Sequence, residues 1–327
     1  MSAPWLREGW RRLCSALETR RLPHATLLAG PAGLGKREFA RAFVARVLCR
    51  EAKGEEGACG RCRSCEQQAA GSHPDFVLVT FELRDDGKLR TEITVDQIRT
   101  LSARLALTPQ QNGYQVALID PADAMNDNAA NALLKTLEEP SAETLLVLVS
   151  DEPARLPATI LSRCSRVDVR FPAAEVARTW LESRGIDAKA AATALALAAG
   201  NPGEALGYAG SGGRVDEVAA GLVELLAGRT AASSLAARWA DEHASLRLRI
   251  LAQSLRLIAR QRESGEALPH RALAEAARLL PGYEFPKLWR AWERVNAAAD
   301  EIPGPLRADL MLYEALAAIR DVAAVAA

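Results

Sequence analysis

The stretch ATLLAGPAGLGKR, Ala25 to Arg37, decides the fold. Ala25 to Ala29 is a short apolar strand, and GPAGLGKR, Gly30 to Arg37, follows it and opens a helix, which is the setting a phosphate-binding loop requires. Gly30, Gly33 and Gly35 let successive backbone N–H groups turn inward around a phosphate. The helix N-terminus adds partial positive charge, and Lys36 reaches the terminal phosphates. A chance glycine-rich turn is the plain alternative, but it does not account for strand, spacing, lysine and helix together. The last position departs from the pattern: Arg37 stands where a Ser or Thr hydroxyl would coordinate Mg²⁺, which weakens metal binding.

Outward from this stretch, β-type runs alternate with helical patterns to about residue 170. Phe76 to Thr80 (FVLVT), Gln115 to Ile119 (QVALI), Thr144 to Val149 (TLLVLV) and Arg166 to Val169 (RVDV) are the further candidate strands. Apolar strands set between helices imply a parallel sheet covered on both faces. Thr94 and Gln97 make a capping box that opens TVDQIRTLSARLAL, a helix ended by Pro109. After Pro172 the strand signal stops and Ala, Leu, Glu and Arg dominate. Ala173 to about Ala209 supports two or three short helices, and GYAGSGGR, Gly207 to Arg214, has the glycine content of a linker. Helical patterns then run through Val215–Ala227, Leu246–Arg262, Arg271–Leu280, Phe285–Asp300 and Leu306–Val322, with Leu306, Leu310, Tyr313 and Leu316 as an apolar stripe in the last.

At 327 residues the chain has room for two domains or three small ones. Its 49% hydrophobic and 25% charged residues exclude collagen, disorder and a disulfide-stapled scaffold. Lys+Arg and Asp+Glu balance at 41 each, which removes global electrostatic attraction as an argument for nucleic-acid binding. Arg7, Glu8, Arg11 and Arg12 interrupt any export signal, and Leu145 to Val149 is far too short to span a bilayer. A cytoplasmic protein with no membrane partner is expected, and six cysteines in that compartment are read first as metal ligands.

VALIDPAD, Val116 to Asp123, carries an apolar strand ending in Asp120, the place of the carboxylate that holds the metal's water shell in P-loop ATPases. Pro121 stands where a Glu would orient the attacking water, and Asp123 lies too far along the chain to replace it. The expected site is degenerate: ATP or ADP can bind by its phosphates, but hydrolysis is not expected. Cys49, Cys59, Cys62 and Cys65 form C-x9-C-x2-C-x2-C, a pattern that closes a tetrahedral sulfur shell around structural zinc. Unligated thiols and an iron–sulfur cluster are the alternatives, and His73 could substitute for one ligand. Glu51, Lys53, Glu55 and Glu56 make the intervening segment a polar excursion for the metal to pin. Cys14 and Cys164 are left as ordinary thiols. LPATILSRCSRV, Leu156 to Val167, puts Ser162, Arg163 and Cys164 at the end of a short helix, and an Arg there is, taken alone, a surface ion-pair partner.

NALLKTLEEP (Asn131 to Pro140), the apolar strand ending at Ser150, and LSRC (Leu161 to Cys164) resemble the AAA+ clamp-loader subunits of bacterial DNA polymerase III. The four-cysteine insert and the phosphate loop fit the same family. The likeness covers residues 1 to about 208 by motif and the rest by helical content and length. It implies an α/β P-loop AAA+ domain with a parallel sheet over 1–170, carrying a zinc insert at 49–65. A small helical lid domain over 171–208 and an all-α collar domain over 209–327 would follow. It further implies a pentameric loader that opens the sliding clamp and places it on primed DNA, with gamma/tau and delta subunits as partners, inside a DNA-directed DNA polymerase (nucleotidyltransferase) holoenzyme. Each ATP would lie at a subunit interface, and Arg163 would be the finger that stabilises the γ-phosphoryl group bound by an adjacent gamma/tau subunit. Ser150 resembles the family's first sensor, with a local backbone role in the SDEP turn as the alternative. GNPGEAL, Gly200 to Leu206, resembles the second-sensor segment with Gly203 in the Arg position, a third missing catalytic part. The helix carrying Asn131, Leu134, Lys135, Leu137 and Glu138 has an apolar side for the sheet and a charged side for a neighbour, DNA or solvent. A non-hydrolysing subunit that completes a neighbour's ATPase site is therefore expected. The competing readings are a subunit that hydrolyses ATP itself and a zinc-dependent nucleic-acid-binding module.

Overall fold

Apolar runs of four to seven residues alternate with helices through the first of the two units into which the chain divides, residues 1–172. The computed structural model describes residues 3–84, 86–111, 113–280, 284–302 and 307–324. In chain order this unit contains α1 (Arg7–Glu18), β1 (Ala25–Ala29), α2 (Lys36–Leu48), α3 (Arg63–Ala69), β2 (Phe76–Val79) and α4 (Val95–Leu105). It continues with β3 (Gln115–Ile119), α5 (Asp127–Glu138), β4 (Thr144–Ser150), α6 (Ala158–Leu161) and β5 (Ser165–Asp168).

The strands form one parallel sheet in the order β2-β3-β4-β1-β5, the α/β architecture expected. Side chains alternate between its faces because the strand repeat is two residues. Leu28, Val116, Leu145, Val147 and Val149 meet Phe39 and Phe43 of α2 and Trp10 of α1, whose ring stands edge-on to both phenylalanines. Leu27, Ala117, Ile119, Leu146 and Leu148 face Ile98 and Leu101 of α4 and Leu133 and Leu137 of α5. Two covered faces explain why β1, β3 and β4 are buried throughout. The edge strands differ: Leu78 of β2 is exposed, and β5 buries only Val167. At the carboxyl edge Leu28 lies level with Val149 on one side and Val167 on the other, so the loop after β1 emerges where open α/β sheets take ligands.

Thr94 and Gln97 form the capping box of α4, with the Thr94 N–H donating to Gln97 Oε1 at 3.0 Å. That helix stops at Leu105 rather than running to Pro109, and the Leu107 carbonyl accepts the Gln115 side-chain amide at 2.6 Å.

The second unit, residues 173–327, is helical as expected. It comprises α7 (Ala174–Glu182), α8 (Ala188–Leu197), α9 (Pro202–Ala209), α10 (Arg214–Leu226) and α11 (Ala232–Trp239). Next come α12 (Ala244–Ser264), α13 (Arg271–Arg278), α14 (Phe285–Glu301) and α15 (Ala308–Ala324). Arg256 of α12 donates to the Ala196 and Leu197 carbonyls at 2.9 and 3.1 Å, placing a cation on the C-terminal end of α8. The stretch read as a linker is ordered: Gly207 to Ala209 finish α9, Ser211 is buried, and α10 begins at Arg214. In α15 the apolar stripe needs correction. Leu306 lies outside the described residues, Leu310 and Tyr313 are 55% and 44% exposed, and the buried face is Leu312, Ala315, Leu316, Ile319 and Val322. Among the described residues no helix is long and apolar enough to cross a membrane.

Candidate functional site

The loop that leaves β1, expected from the sequence to take phosphate, is shaped by its glycines. A Cβ on Gly30, whose φ is +148°, would stand 2.0 Å from the Val169 carbonyl oxygen, so only glycine lets the chain leave β1 this close to the end of β5. Gly33 and Gly35 have φ of +78° and +81°, and Gly35 hands the chain into α2 with Lys36 as its first residue.

Four charged side chains converge there. Lys36 Nζ donates to the Pro31 carbonyl at 2.6 Å and lies 2.5 Å from Asp151 Oδ1. Arg37 Nε lies 3.0 Å from Asp120 Oδ1, and Arg37 Nη2 lies 2.8 Å from Asp151 Oδ2. A guanidinium thus bridges the carboxylate that ends β3 and the one that follows β4. Burial pushes the Asp120 carboxyl above its ordinary range despite Arg37 beside it. At Asp151 burial works the same way, but the hydrogen bonds from Lys36 and Arg37 outweigh it and hold that carboxyl low. Asp123 Oδ1 accepts the Asp151 N–H at 3.1 Å, a bracing role for the residue weighed as a replacement base. Pro121, beside Asp120, carries no group that could take a proton.

This donor set does not suit Mg²⁺. The position that needs a hydroxyl is a cation, and that cation already occupies Asp120. A phosphate could still meet the loop's N–H groups, but it would compete with Asp151 for Lys36. Ser150, at the end of β4, is fully buried, and its Oγ has no hydrogen-bond partner among the described residues, so it makes none of the local backbone bonds of the alternative reading. Gly203 sits in the first turn of α9, where Asn201 Oδ1 accepts its N–H at 3.1 Å. Asp151 is the member of the site that sequence reasoning missed. Its signal was present in the Ser-Asp pair ending an apolar strand, but that pair reads equally as a turn.

Arg163 lies just beyond α6. Its Nη1 donates to the Thr159 carbonyl at 3.1 Å and its Nη2 lies 2.6 Å from Glu138 Oε1 at the end of α5, with its side chain 36% exposed. The next residue, Cys164, packs against the core, and burial pushes its thiol up to about 11.

The four cysteines meet as their spacing requires. All four Sγ atoms lie within 4.8 Å of one another, with Cys49–Cys62 at 4.0 Å and Cys59–Cys65 at 3.9 Å. A tetrahedral shell at the usual Zn–S length puts sulfurs roughly 3.8 Å apart, close to these two separations, so the four-thiol donor set fits zinc. Burial opposes the Cys49 thiolate, yet N–H groups of Cys59, Glu51 and Ala52 outweigh it and bring its pKa down to about 6. Burial and the neighbouring cysteines push Cys65 up to about 12. Four thiolates this close need a cation to ionise together.

His73 is not a candidate ligand. Its Nδ1 accepts the Asp75 N–H at 3.1 Å, so the remaining N–H is on Nε2 and faces Ser64 Oγ at 2.8 Å. Ser64 in turn donates to the Leu48 carbonyl at 2.7 Å, which braces α3 against the end of α2 behind the sulfurs. The polar excursion is tied down as well. Trp10 Nε1 donates to the Glu55 carbonyl at 2.8 Å, the Gly54 N–H donates to Glu18 Oε1 at 3.0 Å, and buried Arg46 pairs with the same Glu18.

The family described as DNA polymerase III, delta subunit, matches residues 6–173. DNA polymerase III subunit delta' of Pseudomonas aeruginosa is 41% identical over 240 residues, covering 72% of this chain and 70% of that protein. The Escherichia coli subunit delta' is 37% identical over 204 residues, covering 62% of this chain and 59% of that protein. DNA polymerase III subunit tau of Bacillus subtilis is 34% identical over 160 residues, covering 49% of this chain and 27% of that protein.

Proposed function

The chain belongs to the DNA polymerase III delta-subunit family, and from that membership we propose that it is the delta-prime subunit of a clamp loader, a non-hydrolysing stator in the cytoplasmic replication machinery. The observation that carries this is the Arg37 bridge. With Arg37 on both Asp120 and Asp151, and Lys36 held by Asp151, two cations and two carboxylates neutralise one another where an active site would hold metal and phosphates. Pro121 leaves the attacking water without a base.

The loss of this motor leaves the other half of the chemistry intact. Arg163 is a permanently charged planar group at the end of α6, suited to an anionic phosphoryl oxygen on another chain. In this reading it completes the ATP site of an adjacent gamma/tau subunit. Gamma/tau and delta then assemble with this chain to open the sliding clamp and load it on primed DNA. The lid over 171–208 and the collar over 209–327 carry the contacts of assembly. Cys49, Cys59, Cys62 and Cys65 hold a zinc ion that cross-links α2 to α3 and does no chemistry on nucleotide. ATP or ADP at the chain's own loop, if bound, is held by Lys36 and the loop N–H groups, with Ser150 nearby.

The test is turnover by the purified chain alone, together with a loader carrying Lys36→Ala in this subunit. Background ATPase from the isolated chain and an unchanged rate in the assembled loader are expected. Turnover by the isolated chain that disappears with Lys36→Ala would establish the hydrolysing alternative.

A further inference from the structure

The end of α5 and the end of α6 meet at an ion pair that closure of the chain's own site does not use. Asn131, Lys135 and Glu138 follow one another along the exposed face of α5, while Leu133 and Leu137 lock its other face into the core. Glu138 is therefore carried by a rigid element, and Arg163 approaches it from the turn after α6. The Arg163 fork has three contacts: Nη2 lies 2.6 Å from Glu138 Oε1, and Nη1 donates to the Thr159 carbonyl at 3.1 Å and to Ser162 Oγ at 3.4 Å.

A half-exposed pair of this kind adds little to stability, because solvent screens it and both side chains lose freedom. Its geometric effect is larger. An arginine side chain has many rotamers, and a finger that must find its phosphoryl oxygen loses rate to every misplaced one. Fixing the guanidinium on two sides removes that search and leaves its remaining N–H donors for an anion.

We infer that Glu138 is a positioning residue for Arg163: it holds the guanidinium in the orientation from which it stabilises a phosphoryl group bound by the adjacent subunit. The inference rests on the trans-acting role of Arg163 proposed above. Its sign is distinctive. If Glu138 merely competed with phosphate for Arg163, removing it would raise the neighbour's rate, whereas a positioning residue lowers the rate when lost. The step is electrostatic, and no proton or bond moves at Glu138.

The experiment is a double-mutant cycle in the reconstituted loader, with this subunit as wild type, Glu138→Ala, Glu138→Gln, Arg163→Ala and the Glu138→Ala/Arg163→Ala pair. DNA-stimulated ATPase is read at limiting and saturating ATP after assembly is verified by gel filtration. Glu138→Ala is expected to lower kcat at the adjacent site by about tenfold with KM unchanged. Glu138→Gln, which keeps an oxygen acceptor, should recover most of the rate, and Glu138→Ala should have no further effect once Arg163 is gone. A Glu138→Ala rate at or above wild type, with Arg163→Ala slow, overturns this inference alone. An equal loss in both Arg163 backgrounds also overturns it, since that marks a structural role. A wild-type rate with Arg163→Ala removes the finger and the inference together.

Discussion

Arg37 reaches Asp120 at 3.0 Å and Asp151 at 2.8 Å, so one long cation spans the gap between the ends of β3 and β4. Replacing it by Thr would restore the missing hydroxyl but leave Pro121 in place, so Arg37→Thr is expected to give no steady-state ATP turnover. Clear turnover from that single variant would show that the guanidinium alone blocks the site. Gly30 makes a sharper structural demand. Gly30→Ala would force a Cβ to within 2.0 Å of the Val169 carbonyl at a backbone angle of +148°, and should cost about 2 kcal/mol or more in urea unfolding. Gly30, Lys36, Asp120 and the four cysteines were legible in the sequence because each sits in a local pattern. Asp151 was not: it meets Lys36 from 115 positions away, and pairing over that distance leaves no local pattern.

Among the elements, the cysteine knuckle joins the end of α2 to α3, yet its loop is also fastened by Trp10, Glu18 and Arg46. With zinc on the four cysteines as proposed, stripping it or making Cys62→Ser should therefore raise hydrogen exchange across residues 49–65 and at the α3 amides while β1, β3 and β4 stay protected. Loss of protection throughout the sheet would mean that the metal holds the whole unit. In the helical unit Arg247 grips Asp241 through two contacts, 2.5 and 2.9 Å, and Glu217 at 3.0 Å. The hydrogen bond from Arg247 holds the Asp241 carboxyl down at about 2, against an ordinary 3.8. A carboxyl whose folded pKa is lowered contributes stability that is complete above its unfolded value and is lost as pH falls through the folded one. Thermal stability should thus fall between about pH 4 and pH 2, and Asp241→Asn should flatten that part of the profile; an unchanged slope would assign it to other groups. The helices of this unit were legible in kind and less so in detail. The short helix α11, ASSLAARW, escaped the sequence reading because only Leu235 and Trp239 of its buried Ala232, Leu235, Ala236 and Trp239 are large apolar residues, too few in eight positions to mark a helix. In α15 Leu310 and Leu312, and Tyr313 and Leu316, offer overlapping apolar stripes at helical spacing, and only tertiary packing selects the one through Leu312, Ala315, Leu316, Ile319 and Val322.

Across the whole molecule, the parallel sheet was legible because strands covered on both faces must be apolar throughout, which gives β1, β3 and β4 a strong signal. The chain's own site is self-neutralised, and Arg163 stands apart from it, anchored by Glu138 and the Thr159 carbonyl. In the proposed reading such a subunit consumes no ATP but sets the rate at which a neighbour does. Loss of one such charge contact costs on the order of 10³-fold at the affected site, diluted in the total by the loader's other sites. The most direct measurement is single-turnover ATP hydrolysis by loaders of verified composition, assembled on primed DNA with wild-type or Arg163→Ala chains. The account predicts that the phase belonging to the adjacent site is lost while assembly and nucleotide binding persist. An Arg163→Ala loader that hydrolyses every bound ATP at the wild-type rate would contradict it.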